Sequence, residues 1–208
     1  NFAELFSANS KLGSTFWRVL SWTLIWAVLA TFSNYFLGML LAILINKKGI
    51  RFKKFWRTIF VITIAVPQFV SLLLVSKMFT DTGVVNVLLQ QWGITSGPIP
   101  FITDPTLARI LVIVVNLWVG IPYTMLMTTG ILMNIPADLY ESAAIDGAGP
   151  VRQFISITLP YMLFVTAPQM ITTFVGNINN FNVIYLLTTG GPLTLEYYQA
   201  GKTDLLVT

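Results

Sequence analysis

The chain has 208 residues, 55% of them hydrophobic and only 10% charged, with a net charge of +4 and a mean hydropathy of +0.76. A soluble domain carries about 25% charged residues, so this is the composition of a membrane protein. With no Cys and no His, disulfide frameworks, thiolate metal sites and the commonest general base and zinc ligand are excluded.

Residues 1–16 are mixed and polar enough to lie outside a bilayer. Asn1, Phe2, Ala3 and Glu4 show no basic region of a secretory signal. A start without Met and an abrupt stop at Thr208 predict a segment of a longer polypeptide, truncated at both ends. Residues 17–45 are the first predicted span, whose only ionisable group, Arg18, sits at its edge where it can snorkel. Trp17, Trp22 and Trp26 near that edge fit an interfacial belt.

Residues 46–57 hold six of the 12 basic residues: Lys47, Lys48, Arg51, Lys53, Lys54 and Arg57. The positive-inside rule places this short loop in the cytoplasm; its position between two spans argues against a nucleic-acid patch, and no nucleic-acid partner is expected. Residues 58–79 return outward as a second span, interrupted by Pro67, which frees a backbone carbonyl at membrane depth. Residues 80–106 are too polar and too broken by Gly and Pro to cross, with a short surface helix predicted over 84–92. Residues 107–133 run inward as the third span and carry Asn116, Gly120 and Pro122 near their middle.

The stretch 134–160 follows on the cytoplasmic side. Pro136 suits a first helical turn, Asp138 and Glu141 suit the positive end of the helix dipole, and Ser142, Ala143 and Ala144 are small enough to let another protein approach the backbone. Leu139, Ala143 and Asp146 share one side. Gly147 and Gly149 are expected to end this helix through positive φ. Pro150 opens a second short helix over 151–158, and Pro160 marks the start of the fourth span, 160–187. The second half of that span is rich in amides: Asn177, Asn179, Asn180 and Asn182. Residues 188–208 lie outside again.

The polar groups at membrane depth are amides, with no Asp, Glu, Lys or Arg in the central part of any span. Asn donates and accepts, which suits a neutral hydroxyl-rich solute, and the aromatic faces of Trp118 and Tyr123 would suit a pyranose ring. Asn116 and Gly120, four apart, and Asn177 and Asn180, three apart, could line one cavity. By depth and spacing alone, amide pairing between helices fits these residues equally well. A membrane-embedded enzyme lacks its nucleophile–base pair or metal cluster here; a passive channel would explain an amide-lined path but not the 134–160 stretch.

Glu141, Ser142 and Ala143, then three residues, Gly147, then nine residues, and Ile157, Thr158, Leu159 and Pro160 together resemble the coupling loop of ABC importer permeases. Asp146, Gly147 and Ala148 match its continuation in the sugar-permease branch. The runs Asn116 to Tyr123, Asn177 to Phe181, Leu186 to Thr188 and Gly190 to Pro192 resemble the maltose/maltodextrin members of that branch, as do Thr103 to Thr106 and Thr203 to Val207. The resemblance covers nearly the whole chain.

It implies an all-α polytopic bundle of the type I importer permease fold, a single transmembrane domain over 1–208 with further helices beyond both ends. It implies no enzyme activity and no cofactor. The implied partners are a second homologous permease subunit, a cytoplasmic ATPase dimer that hydrolyses the ATP, an extracellular sugar-binding protein, the oligosaccharide itself and the lipid of a bacterial cell membrane. Coupling to the ATPase falls to Glu141, Ala143, Asp146 and Gly147. Residues matching Asn116, Trp118, Gly120, Tyr123, Asn177 and Asn180 line the sugar site in that family. Ile64 and Gln68 stand where the family carries a Tyr and a Ser; Gln68 is expected to replace the Ser as a hydrogen-bonding group.

Overall fold

In the computed structural model, which describes residues 5–7, 10–47 and 49–208, helices form the architecture, and one isolated bridge joins Leu193 and Gly201. The longest, α1 (Lys11–Asn46), starts on a cap in which Ser10 Oγ accepts from Gly13 N–H at 2.9 Å. Its buried side includes the small residues Ala27, Ala30, Gly38 and Ala42. Such side chains let backbones approach closely where lipid supplies no hydrophobic drive between helices. The approach is measured at Gly38, where a Cβ would meet Thr124 Cβ at 2.6 Å. Thr124 belongs to α5 (Pro105–Leu132), the helix along which α1 chiefly packs. Helix α5 opens on Pro105, with Asp104 Oδ1 accepting from Thr106 and Leu107 N–H at 2.9 and 2.8 Å.

Between them lie α2 (Lys53–Ala65) and α3 (Gln68–Met78). The sequence reads residues 58–79 as one interrupted crossing; the structure makes it two helices bent by 89°. Pro67 is the cause. Its ring disfavours helical backbone at the residue before it, and Val66 is extended at φ −77° and ψ 129°. Helix α4 (Val84–Gln91) is the predicted surface helix, held by Asn86, which donates to Thr80 O and Ile99 O and accepts from Ile99 N–H.

After α5 come α6 (Ala137–Ile145) and α7 (Pro150–Gln153), a π-helical turn (Phe154–Thr158), and α8 (Leu159–Ile178). Here the structure corrects three expectations. Pro136 caps α6 from outside rather than sitting in its first turn. Gly147 has φ +77° as expected, but Gly149 has φ −68°. Nor does a helix end before Pro160: residues Pro150–Ile178 run on as one 29-residue unit. The π turn absorbs the proline, because Leu159 N–H reaches back five residues to Phe154 O and widens the turn ahead of the Pro160 ring.

The predicted span 160–187 is also broken. Helix α8 ends at Ile178, and α9 (Phe181–Thr188) restarts on Asn180, whose Oδ1 accepts from Val183 N–H at 3.2 Å. Among the described residues, three helices are long and apolar enough to cross a membrane, or four with the bent pair α2–α3 taken as one span.

Side-chain contacts tie the helices together at both ends of the bundle. At one end, Asn46 donates to Thr129 Oγ1 on α5 at 3.2 Å and accepts from Arg57, while Lys53 Nζ donates to Asn46 O. This joins the start of α2 to the C-terminal end of α5, the end that leads into α6. At the other end, the C-terminal segment folds over the helices: Trp22 Nε1 donates to Thr203 O, Arg109 Nε to Lys202 O, and the Thr188 and Thr203 hydroxyls lie 2.7 Å apart.

Trp22 and Trp26 do not form the expected interfacial belt. Both are buried, in a core with Leu72, Leu111, Val112 and Ile184. Trp26 is fully buried, and its indole N–H donates to Asn177 O at 3.0 Å, tying α1 to the end of α8. Buried indoles need such an acceptor. Trp26→Ala is expected to lower stability by about 3–5 kcal/mol, as large-to-small core changes do, measured by thermal unfolding of the detergent-solubilised protein; a loss below about 1 kcal/mol would show that the site collapses to fill the gap.

Candidate functional site

Two polar stripes, on α1 and α8, meet beside α5. On α1, Thr31, Asn34 and Tyr35 follow helical spacing; on α8, Gln169, Thr173 and Asn177 do the same. Together with Gln68, Asn116, Gly120 and Tyr123 they line a cavity of about 180 Å³, space for roughly half a dozen waters at about 30 Å³ each. Among the described residues, no charged side chain lines it.

The hydrogen bonds divide these groups into satisfied and unsatisfied ones. Asn177 Nδ2 donates to Thr31 Oγ1 at 3.0 Å, and its Oδ1 accepts from Asn180 Nδ2 at 3.3 Å. Gln169 Nε2 donates to Thr173 Oγ1, and Thr166 Oγ1 donates to Tyr35 OH. By contrast, Asn34 Oδ1 and Asn116 Nδ2 are buried without a hydrogen-bond partner among the described residues. One is an acceptor and the other a donor, and leaving such groups unpaired costs about 1–3 kcal/mol each. A hydroxyl, which both donates and accepts, is the neutral group that would satisfy them.

Of the residues expected from sequence, Asn116, Gly120, Tyr123, Asn177 and Gln68 meet in this cavity. Trp118 does not line it; it lines a trough of about 250 Å³ beside the α2–α3 bend, with Ile64, Pro67 and Ser71. Gln68, Val119 and Tyr123 border both spaces, so the trough and the cavity adjoin. Asn180 lies outside both linings. The expected shared helix face for Asn177 and Asn180 does not exist, because α8 ends between them; Asn180 reaches Asn177 as the cap of the next helix. Thr31, Asn34, Tyr35, Gln169 and Thr173 were not anticipated, although their spacing within apolar runs carried the signal.

Gly120 has a specific reason to be Gly. A Cβ there would lie 2.6–2.7 Å from the side-chain amide atoms of Asn34. The Asn34 carboxamide occupies the space that the missing side chain leaves, and so reaches the cavity.

Away from the cavity, α6 closes with paired bonds: Gly147 N–H to Ala144 O at 3.0 Å and Ala148 N–H to Ala143 O at 2.8 Å. This is the Schellman pattern, and it needs positive φ at Gly147. Tyr140 OH lies 2.8 Å from Thr158 Oγ1 and ties α6 to the π turn. Glu141, Asp146 and Gly147 are exposed and Ala143 is half-buried. Around them Leu139, Ile145, Val151 and Ile155 are exposed apolar side chains. A concave surface follows, lined by Pro150, Val151, Arg152 and Ile155.

Residues 34–204 match the family of binding-protein-dependent transport system inner membrane components. The chain is 43% identical over 208 residues to the galactooligosaccharides transport system permease protein GanP of Bacillus subtilis, covering 99% of this chain and 49% of that protein. It is 39% identical to the maltose/maltodextrin transport system permease protein MalF of Klebsiella aerogenes, over 100% of this chain and 40% of that protein. The maltodextrin permease MdxF of Bacillus subtilis is 40% identical, with 100% and 48% covered.

A bacterial alginate ABC transporter, solved in complex with an alginate pentasaccharide-bound periplasmic protein, superposes with a TM-score of 0.70 at 25% identity, covering 97% of this chain and 65% of that one. The chain therefore belongs to the inner membrane components of binding-protein-dependent transport, a polytopic all-α membrane protein with the ABC importer permease fold. It spans about half or less of the length of the curated relatives it matches.

Proposed function

We propose that the chain forms the translocation path of an ATP-driven importer for maltose or maltodextrins in a bacterial cell membrane. The observation that carries this reading is the uncharged cavity, where carboxamides from three helices and Gln68 converge beside Tyr123. Three similar proteins named for maltose or maltodextrin transport support the substrate class.

On this reading the solute's hydroxyls satisfy Asn34 and Asn116, the Trp118 trough takes the adjoining part of a longer chain, and Ile64 contributes only apolar contact. The permease itself hydrolyses nothing. A cytoplasmic ATPase dimer grips the α6–α7 bend through Glu141, Ala143, Asp146 and Gly147. A second, similar permease completes the path, and an extracellular binding protein delivers the sugar at the opposite end. Closure of the ATPase pair acts through differential affinity for two arrangements of the helices, the only way one event can shift such an equilibrium.

The test is sugar-stimulated ATPase activity of the whole assembly across a panel of oligosaccharides. Maltodextrins are expected to stimulate, and Asn116→Leu to reduce their apparent affinity by about tenfold or more with assembly intact. A second reading, import of galacto-oligosaccharides, is favoured by the 43% identity to GanP; stimulation by those sugars and not by maltodextrins would select it. Stimulation by neither class would sink both.

A further inference from the structure

At the end of the molecule opposite the α6–α7 bend, a pocket of about 310 Å³ lies between α1, α5 and the C-terminal segment. Arg18 and Arg109 line it, with Trp17, Ser21, Ile25 and Tyr197. Neither guanidinium is used up. Arg109 donates through Nε to Lys202 O at 2.8 Å and stacks 4.4 Å from the Trp22 ring centre, leaving its terminal nitrogens without a hydrogen bond among the described residues. Arg18 gives Nη1 to Glu196 at 3.1 Å and lies 5.7 Å from the Tyr197 ring centre, leaving Nη2 and Nε without a hydrogen bond among the described residues.

Glu196 also takes Lys202 at 2.7 Å, so two cations share its carboxylate, and Arg109 has no carboxylate partner among the described residues. Lys202, foremost, and then Arg18 hold that carboxyl below the usual range. Asp204, the other acid of this segment, is turned to Gly201 N–H and Thr208. The pocket therefore keeps an excess of positive charge and unused donors.

Its position identifies the ligand. Arg18 and Arg109 stand where the apolar runs of α1 and α5 begin, at the level of the membrane boundary. Below them one face of α1 continues as Ile25, Val28, Phe32 and Phe36, which are 51%, 44%, 42% and 45% exposed. Their angular spread is narrow at helical spacing, so they form one ridge. From Ile25 to Phe36 the helix rises about 16 Å, about half of the ~30 Å hydrocarbon core, the reach of one acyl chain.

We propose that this pocket binds an anionic glycerophospholipid, its phosphate on Arg18 and Arg109 and an acyl chain along the Ile25 ridge. The inference depends on the chain's membrane location and not on which sugar is carried. A free phosphate would use the arginines but not the ridge. An acidic partner protein arriving from water would reach the arginines but not Phe32 or Phe36 within the bilayer.

The experiment uses the delipidated full-length permease in its complex, titrated with phosphatidylglycerol, phosphatidylcholine or inorganic phosphate and read by native mass spectrometry. Phosphatidylglycerol is expected to bind more tightly than phosphatidylcholine by about fivefold for each guanidinium. Arg18→Gln and Arg109→Gln should each remove about that factor for phosphatidylglycerol alone. Ile25→Asn should weaken both lipids and leave inorganic phosphate unaffected.

Equal binding of the two lipids overturns the proposal. So does full displacement of phosphatidylglycerol by inorganic phosphate with Ile25→Asn silent, which marks a free-anion site. Cross-linking of Arg18 to the binding protein that lipid cannot compete away overturns it too. Arg109 also supports the C-terminal segment; if Arg109→Gln unfolds the protein, the Arg18 and Ile25 variants, both at exposed positions, still decide.

Discussion

Replacing Gly147 with Val is expected to abolish ATP-driven uptake while the helices around the cavity remain folded. Nothing lies within 4 Å of where a Cβ at Gly147 would sit, so no clash inside this chain opposes a side chain. Backbone conformation opposes it. Gly147 has φ +77°, a region that costs an ordinary L residue about 1–2 kcal/mol and a β-branched one more. Relief of that strain unpairs Gly147 N–H from Ala144 O and Ala148 N–H from Ala143 O, the two bonds that fix the turn from α6 into α7.

The bend would then lose the angle at which α6 presents Glu141 and Ala143, and a rigid connection becomes a loose one. Gly147→Asn separates the possible causes, because Asn tolerates positive φ yet adds bulk. Uptake retained in the Asn variant and lost in the Val variant assigns the effect to backbone geometry; loss in both assigns it to close approach by the ATPase. Uptake unchanged in both variants, with protein levels equal, would contradict the role proposed for this loop.

What could be read from sequence and what could not follow from the range of the interactions. The helix opened by Pro150 and the reversal at Gly147 are local, each depending on residues within a turn of one another, and the structure has both. The stretch 46–57 is not all loop, since Lys53, Lys54 and Arg57 belong to α2. Hydropathy gives the number of crossings but not their continuity: Pro67 splits a span through 89°, whereas Pro160, equally disruptive on paper, is absorbed by a π turn.

Tryptophans near a span's edge read as interfacial, yet Trp22 and Trp26 find acceptors in Thr203 and Asn177, more than a hundred residues away. No local pattern carries that information. The cavity was legible on α5, where Asn116, Gly120 and Tyr123 are close in sequence. It was half legible on α8, where Asn177 was noticed and Gln169 and Thr173 were not. It was missed on α1, because Thr31 and Asn34 are ordinary residues until α5 packs against them.

The contact between Asn34 and Gly120 gives the second large expected effect. Gly120→Ala is expected to lower transport efficiency by roughly ten- to a hundredfold, with little loss of assembled protein. The added Cβ falls 2.6–2.7 Å from the Asn34 amide atoms, which must move. Asn34 stands on α1, whose packing against α5 is equally tight one helical turn further on, at Gly38. The helices therefore cannot part to make room, and the carboxamide rotates away from the cavity or into it. Either displacement removes the acceptor that is held unpaired beside Asn116. Overpacking of this kind costs about 1–3 kcal/mol, which at 1.4 kcal/mol per factor of ten gives the stated range.

The pair can be tested as a cycle. Asn34→Gly alone loses the acceptor and is expected to impair transport. Combined with Gly120→Ala it removes the clash, so the double variant should be no worse than Asn34→Gly alone, a non-additivity expected only of residues in direct contact. Additive losses measured by radiolabelled sugar uptake in reconstituted vesicles would show that Gly120 acts on transport by some route other than the placement of Asn34.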